Sequence, residues 1–86
     1  MVKSFEFKVG DKETHEVRIE LKTFWGFEFL VFINGNLHRK SVKSSYSIPS
    51  LGFEVGDSEK HFVFIQPIAQ GFDIFIDNRF YKTINF

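Results

Sequence analysis

The chain has 86 residues, 11 basic and 11 acidic side chains for a formal net charge of +0, no cysteine and 13 phenylalanines. This length makes one domain, residues 1–86, that is marginal unless its core is dense, and phenylalanine is the residue that makes a small core dense. Without cysteine there is no disulfide framework, thiol nucleophile or thiolate metal site; the charge balance argues against nucleic acid as a partner and leaves little repulsion to oppose self-association.

Hydrophobicity alternates with a period of two almost throughout, the pattern of half-buried strands. Phe5, Phe7 and Val9 alternate with Glu6 and Lys8. Gly10-Asp11-Lys12-Glu13 reads as a turn, and His15, Val17, Ile19 and Leu21 then alternate with Glu16, Arg18, Glu20 and Lys22. A third strand runs over 27–33. Asn34-Gly35 follows, a hairpin signal because both positions of a type I′ turn need φ > 0. The fourth strand is expected over 36–43, and Ser44 to Ser50 reads as a linker.

The remainder repeats this order. Leu51, Phe53 and Val55 make a strand, Gly56-Asp57 turns, and a strand over 61–66 ends against Pro67, which cannot donate to a ladder. Ala69-Gln70-Gly71 turns, a strand covers 72–76, Asp77-Asn78 makes a second hairpin turn, and the last strand covers 79–86. Residues 5–19 set over 51–65 give eight identities in fifteen pairs: Phe7/Phe53, Val9/Val55, Gly10/Gly56, Asp11/Asp57, Glu13/Glu59, His15/His61, Val17/Val63 and Ile19/Ile65. Average composition gives about one by chance. Gly26-Phe27-Glu28 also matches Gly71-Phe72-Asp73, and Phe32-Ile33-Asn34 matches Phe75-Ile76-Asp77. The expectation is an all-β protein: an antiparallel β-sandwich of about eight short strands built by internal duplication, with copies at 5–43 and 51–86. Its expected core is Phe5, Phe7, Val9, Val17, Ile19, Leu21, Val31, Ile33, Phe53, Val55, Val63, Ile65, Ile74 and Ile76.

The segments 15–21, 29–35, 53–56 and 71–77, read together, resemble the Fas apoptotic inhibitory molecule family, in which similar His-x-Ile-Glu-Phe and Val-x-Val-Asp-Gly stretches occur. The resemblance covers most of the chain through strand-and-turn patterns. It implies a compact antiparallel β-sandwich with protein–protein roles and no established enzymatic activity.

Sites of reaction chemistry are sparse. His15 and His61 occupy matched places, but zinc takes three or four ligands, so they are expected to be half-buried and hydrogen-bonded to turn backbone. Asp11 and Asp57, with Glu13 and Glu59 nearby, are expected to cap their own turns rather than hold calcium or act as acid and base. No nucleophile elbow or phosphate-binding glycine loop is present. His38-Arg39-Lys40, Lys43 and Tyr46 read as a solvated edge strand. Neither enzymatic activity nor a metal or other cofactor is expected. The longest apolar run, 29–33, is too short to span a bilayer, and no basic leader precedes an apolar stretch, so no membrane partner and a cytoplasmic location are expected.

Solvent-facing positions carry the functional signal. Glu16 and Arg18 of the first copy become Phe62 and Phe64 in the second, with Phe75 at the same parity; Leu30 and Phe32 face outward in the first copy. Exposed aromatic patches mark interfaces, so Phe62, Phe64, Phe75, Leu30 and Phe32 form the expected interface of a protein-binding module, including with itself as a homodimer. The alternative is a small-ligand or glycan-binding module in which Phe24, Trp25, Tyr46 and Tyr81 line a shallow site.

Overall fold

A computed structural model describes residues 2–85, and every regular element among them is a strand. The strands are β1 (Val2–Val9), β2 (His15–Lys22), β3 (Glu28–Ile33), β4 (Asn36–Lys40), β5 (Leu51–Val55), β6 (His61–Ile68), β7 (Gly71–Ile76) and β8 (Arg79–Asn85). They form two four-stranded antiparallel meanders, β1-β2-β3-β4 and β5-β6-β7-β8, packed face to face. Meanders follow from short polar connections, which leave consecutive strands no partner closer than each other.

The two halves share one register. Phe5 pairs with Ile19 and Leu51 with Ile65; Val17 pairs with Ile33 and Val63 with Ile76. Each third strand shifts register against the fourth at the same place, between Val31 and Phe32 and between Ile74 and Phe75. A shared irregularity is stronger evidence of duplication than shared alternation, because bulges are specific local features. The pairing also corrects one expected equivalence. Across the whole third strand the offset is 43, so Phe72 corresponds to Phe29, not Phe27; the β2–β3 connection is longer in the first half and absorbs the difference.

Both hairpin turns have positive φ at both central residues, Asn34 (51°) with Gly35 (85°) and Asp77 (52°) with Asn78 (65°), as type I′ geometry requires. Gly10 and Gly56 open the β1–β2 and β5–β6 turns at φ 107° and 105°, and a Cβ on either would lie 2.0 Å from the carbonyl oxygen of Glu13 or Glu59. Any side chain there forces the turn open.

Between the sheets lie Val9, Val17, Ile19, Leu21, Phe29, Val31, Leu51, Phe53, Val55, Val63, Ile65, Phe72 and Ile74. The expected core positions Phe5, Phe7, Ile33 and Ile76 pack against this cluster but are only half-buried. Phe29, Leu51 and Phe72 are additions at strand starts, each at the parity of the core residue that follows it, Val31, Phe53 and Ile74. Phe29 and Phe72, equivalent residues, meet edge to face at 5.2 Å, and Phe5 meets Phe72 at 5.3 Å. Phe7 lies on Tyr81 at 5.5 Å, and the equivalent pair Phe53 and His38 lies at 6.3 Å. The halves are therefore related by an approximate two-fold axis passing near the Phe29–Phe72 contact.

β4 ends at Lys40 rather than residue 43. Ser41 is buried; its hydroxyl accepts from the Phe29 N–H at 2.8 Å, and its own N–H donates to the Phe29 carbonyl at 2.9 Å. Ser44 then exchanges two main-chain bonds with Phe27, which carries the chain off the sheet edge toward β5.

Candidate functional site

Two regions carry unusual side-chain chemistry: the end of the sandwich where the turns gather, and the outer face of the second sheet. At the turn end, the exposed N–H groups of each β-turn are satisfied by a glutamate from the opposite half. The N–H groups of Asp11 (2.8 Å), Lys12 (2.7 Å) and Glu13 (3.2 Å) donate to the Glu59 carboxylate. Reciprocally, those of Asp57 (2.6 Å) and Ser58 (3.0 Å) donate to Glu13. Asp11 and Asp57 thus act through their backbone N–H groups, and the expected self-capping by their carboxylates is replaced by crossed glutamate capping. Turn sequence alone points to a local cap; only the two-fold packing brings each glutamate over the other turn.

Accepting these backbone bonds, with a histidine also at hand, holds both carboxyls far below their ordinary 4.5: Glu13 to about 2, chiefly through the Asp57 N–H and then His15, and Glu59 to about 2, chiefly through the Asp11 N–H and then His61.

The histidines contact these carboxylates and a hairpin side chain instead of turn backbone. His15 Nε2 lies 2.6 Å from Glu13, and its Nδ1 faces Asn34 Nδ2 at 2.8 Å. The Asn34 amide is oriented by its oxygen, which accepts the Glu16 N–H at 2.9 Å. Asn34 therefore donates to the ring, and His15 accepts at Nδ1 and donates at Nε2. In the second half aspartate replaces this asparagine. Asp77 Oδ1 accepts the Phe62 N–H at 2.9 Å, Oδ2 faces His61 Nδ1 at 2.5 Å, and Glu59 holds His61 Nε2. A ring between two carboxylates donates from both nitrogens; the His61 pKa is raised, first by Asp77 and then by Glu59, and that of Asp77 is lowered by His61. With both nitrogens engaged, neither histidine has a lone pair aimed at a substrate. No group of three or more metal-ligating side chains able to hold an ion occurs among the described residues.

On the outer face of the second sheet, the register sets Phe64 opposite Phe75 and Phe75 opposite Phe80, a row of three rings across β6, β7 and β8. Phe75 and Phe80 meet edge to face at 5.9 Å. Phe62 leans across β5: a Cβ on Gly52 would lie 2.5 Å from its ring, so this glycine is what lets the ring lie flat. Phe62, Phe64, Gln66, Phe75 and Asn78 line a shallow groove of about 350 Å³. Phe80, 59% exposed, is the member the sequence reading left out, because only the register shift in β8 reveals which side it faces.

The first sheet treats the same positions differently. Arg18 sits where Phe64 does, its guanidinium 4.3 Å over the Phe32 ring and 3.2 Å from Glu20. Leu30 is only 6% exposed. Of the expected interface residues, Phe62, Phe64 and Phe75 come together on one face; Leu30 and Phe32 belong to the other sheet, the first buried and the second under a cation.

The four aromatics of the alternative site do not converge on one site. Phe24 and Trp25 meet at 5.5 Å in the exposed β2–β3 connection, Tyr46 is exposed in the linker, and Tyr81 rests on Phe7. Phe24 shares a cleft with Val2, Lys22, Glu28 and Lys43. His38, Arg39 and Lys40 are exposed on β4, an edge strand. Among the described residues no helix is long and apolar enough to cross a membrane. The chain matches no family model, no curated protein and no solved structure.

Proposed function

We propose that the protein is a non-catalytic interaction module that binds protein, its own second copy included, through the outer face of its second sheet. One observation carries this reading. At equivalent places in two otherwise matched sheets, Arg18 covers the aromatic ring of the first, whereas Phe64 extends the aromatic row of the second. An aromatic row without a covering cation leaves apolar surface in water that a partner removes.

The magnitude sets the kind of complex. Phe62 and Phe80 are 44% and 59% exposed, and Phe64 and Phe75 are half-buried. Covering the remaining area of four such rings contributes roughly 4–6 kcal/mol per copy, and the cost of association leaves only part of it as affinity. A net charge of +0 adds no long-range repulsion. Weak, reversible association suits an adaptor, and the strand-and-turn resemblance to the Fas apoptotic inhibitory molecule family points the same way.

The test rebuilds the first-sheet arrangement in the second: Phe64→Arg with Gln66→Glu supplies both the cation and its carboxylate. The expected result is a folded protein with wild-type circular dichroism whose monomer, never passed through denaturant, no longer self-associates. Wild-type chain that stays monomeric at high micromolar concentration contradicts the reading.

A further inference from the structure

We infer that this chain exchanges halves with a second copy of itself, so that residues 2–40 of one molecule seat on residues 51–85 of another through the contact seen within one chain. Three observations converge on this. All strand pairing stays within one half or the other, and the remaining main-chain bonds among the described residues do too. The halves meet through side chains and through glutamates accepting from turn N–H groups, all of which a second molecule supplies equally well.

The contact is also isologous in form. Glu13 caps the turn at 57–58 while Glu59 caps the turn at 11–13; Phe7 meets Tyr81 while Phe53 meets His38; Phe29 and Phe72, equivalents of each other, meet at the centre. This is the arrangement of a two-fold dimer, here carried by one chain.

The third observation is the connection. Ser41 and Ser44 are tied to the first half; in the hinge, Ser45 to Ser50, the Ser47 N–H donates to Ser44 Oγ at 3.4 Å and Ile48 packs against the core, while Tyr46 is 97% exposed. Six residues reach at most about 20 Å. Ile48 precedes Pro49, which biases it toward extended backbone. The closed and exchanged forms make the same contacts, so hinge geometry and concentration set the balance between them. Exchange requires the buried faces to part, so the two forms interconvert slowly.

Complementation between full-length chains tests this. One chain carries Val17→Asp with Ile19→Asp, the other Val63→Asp with Ile65→Asp; all four positions are 0% exposed, so each variant alone is unfolded. Mixed in denaturant and diluted together, they can pair the intact second half of one with the intact first half of the other. The expected result is recovery of strand dichroism to about half the wild-type value, one of the two modules being whole, in a particle of twice the 10.1 kDa chain mass. A mixture spectrum equal to the mean of the separate spectra overturns the inference. A second arm needs no broken core. Isotope-labelled and unlabelled chains, both carrying Phe64→Arg to remove the outer-face contact, are refolded together and then diluted. Mixed-isotope dimers that persist for hours are expected; their absence, or dissociation on dilution, overturns the inference.

Discussion

Replacing Phe72 by alanine removes the ring at the centre of the sandwich. Phe72 is 0% exposed and meets Phe29 at 5.2 Å and Phe5 at 5.3 Å, both edge to face. Loss of a buried phenylalanine costs about 3–5 kcal/mol through lost transfer free energy and the cavity left behind. Each edge-to-face pair accounts for roughly 0.5–1.5 kcal/mol of such a loss. Small domains have only about 5–15 kcal/mol in total, so the variant should unfold at much lower denaturant or be unfolded at rest. Phe80→Ala is the matched control: the same substitution at a position 59% exposed, expected to cost under about 1 kcal/mol. Urea unfolding followed by circular dichroism measures both, and a Phe29→Ala/Phe72→Ala cycle gives their coupling, expected near 1 kcal/mol. Equal midpoints for the Phe72 and Phe80 variants would refute the placement of Phe72 on the axis between the halves.

Three further outcomes follow from the turn end. Glu13 and Glu59 titrate near 2 in the folded chain against an ordinary 4.5, so their contribution is present above about pH 5 and lost as pH falls toward 2; Glu13→Gln with Glu59→Gln should flatten that acid limb of the stability profile. His61 is raised, so its contribution is full below its ordinary 6.5 and lost as pH rises through the folded value; Asp77→Asn, which copies Asn34, should move the His61 NMR titration midpoint down, and an unmoved midpoint rejects the two-carboxylate arrangement. Gly10→Ala should destabilise by more than about 1 kcal/mol because its Cβ meets the Glu13 carbonyl at 2.0 Å, whereas Gly35→Ala, whose Cβ meets nothing within 4 Å, should cost less, as thermal melts of the two would show.

Much of the architecture was legible because alternation with a period of two encodes both strand and facing. The duplication at 5–19 and 51–65, the two hairpin turns and most of the core follow from it. Phe29, Leu51 and Phe72 share the parity of Val31, Phe53 and Ile74, so the same alternation extends to them, although the expected core stopped short of these strand starts. Offsets drifted because the β2–β3 connection differs in length between halves. The outer aromatic face was partly readable, because Phe62 and Phe64 replace charges at equivalent sites, but Phe80 depends on a register shift that has no local signature. Partnerships across the axis were not readable. Glu13 and Glu59 lie 46 residues apart and look like ordinary turn residues until the sheets are stacked. Nor does sequence order show that Asn34 and Asp77 reach back to His15 and His61, although their substitution changes what each ring donates.

Sedimentation of the wild-type chain and of Phe64→Arg/Gln66→Glu, each from low to high micromolar concentration, bears most directly on the interaction face. For chains isolated as the 10.1 kDa monomer and never passed through denaturant, the wild-type mass is expected to rise with concentration, and the variant to remain folded and monomeric throughout. A wild type that stays at monomer mass, or a variant that associates as the wild type does, would contradict it.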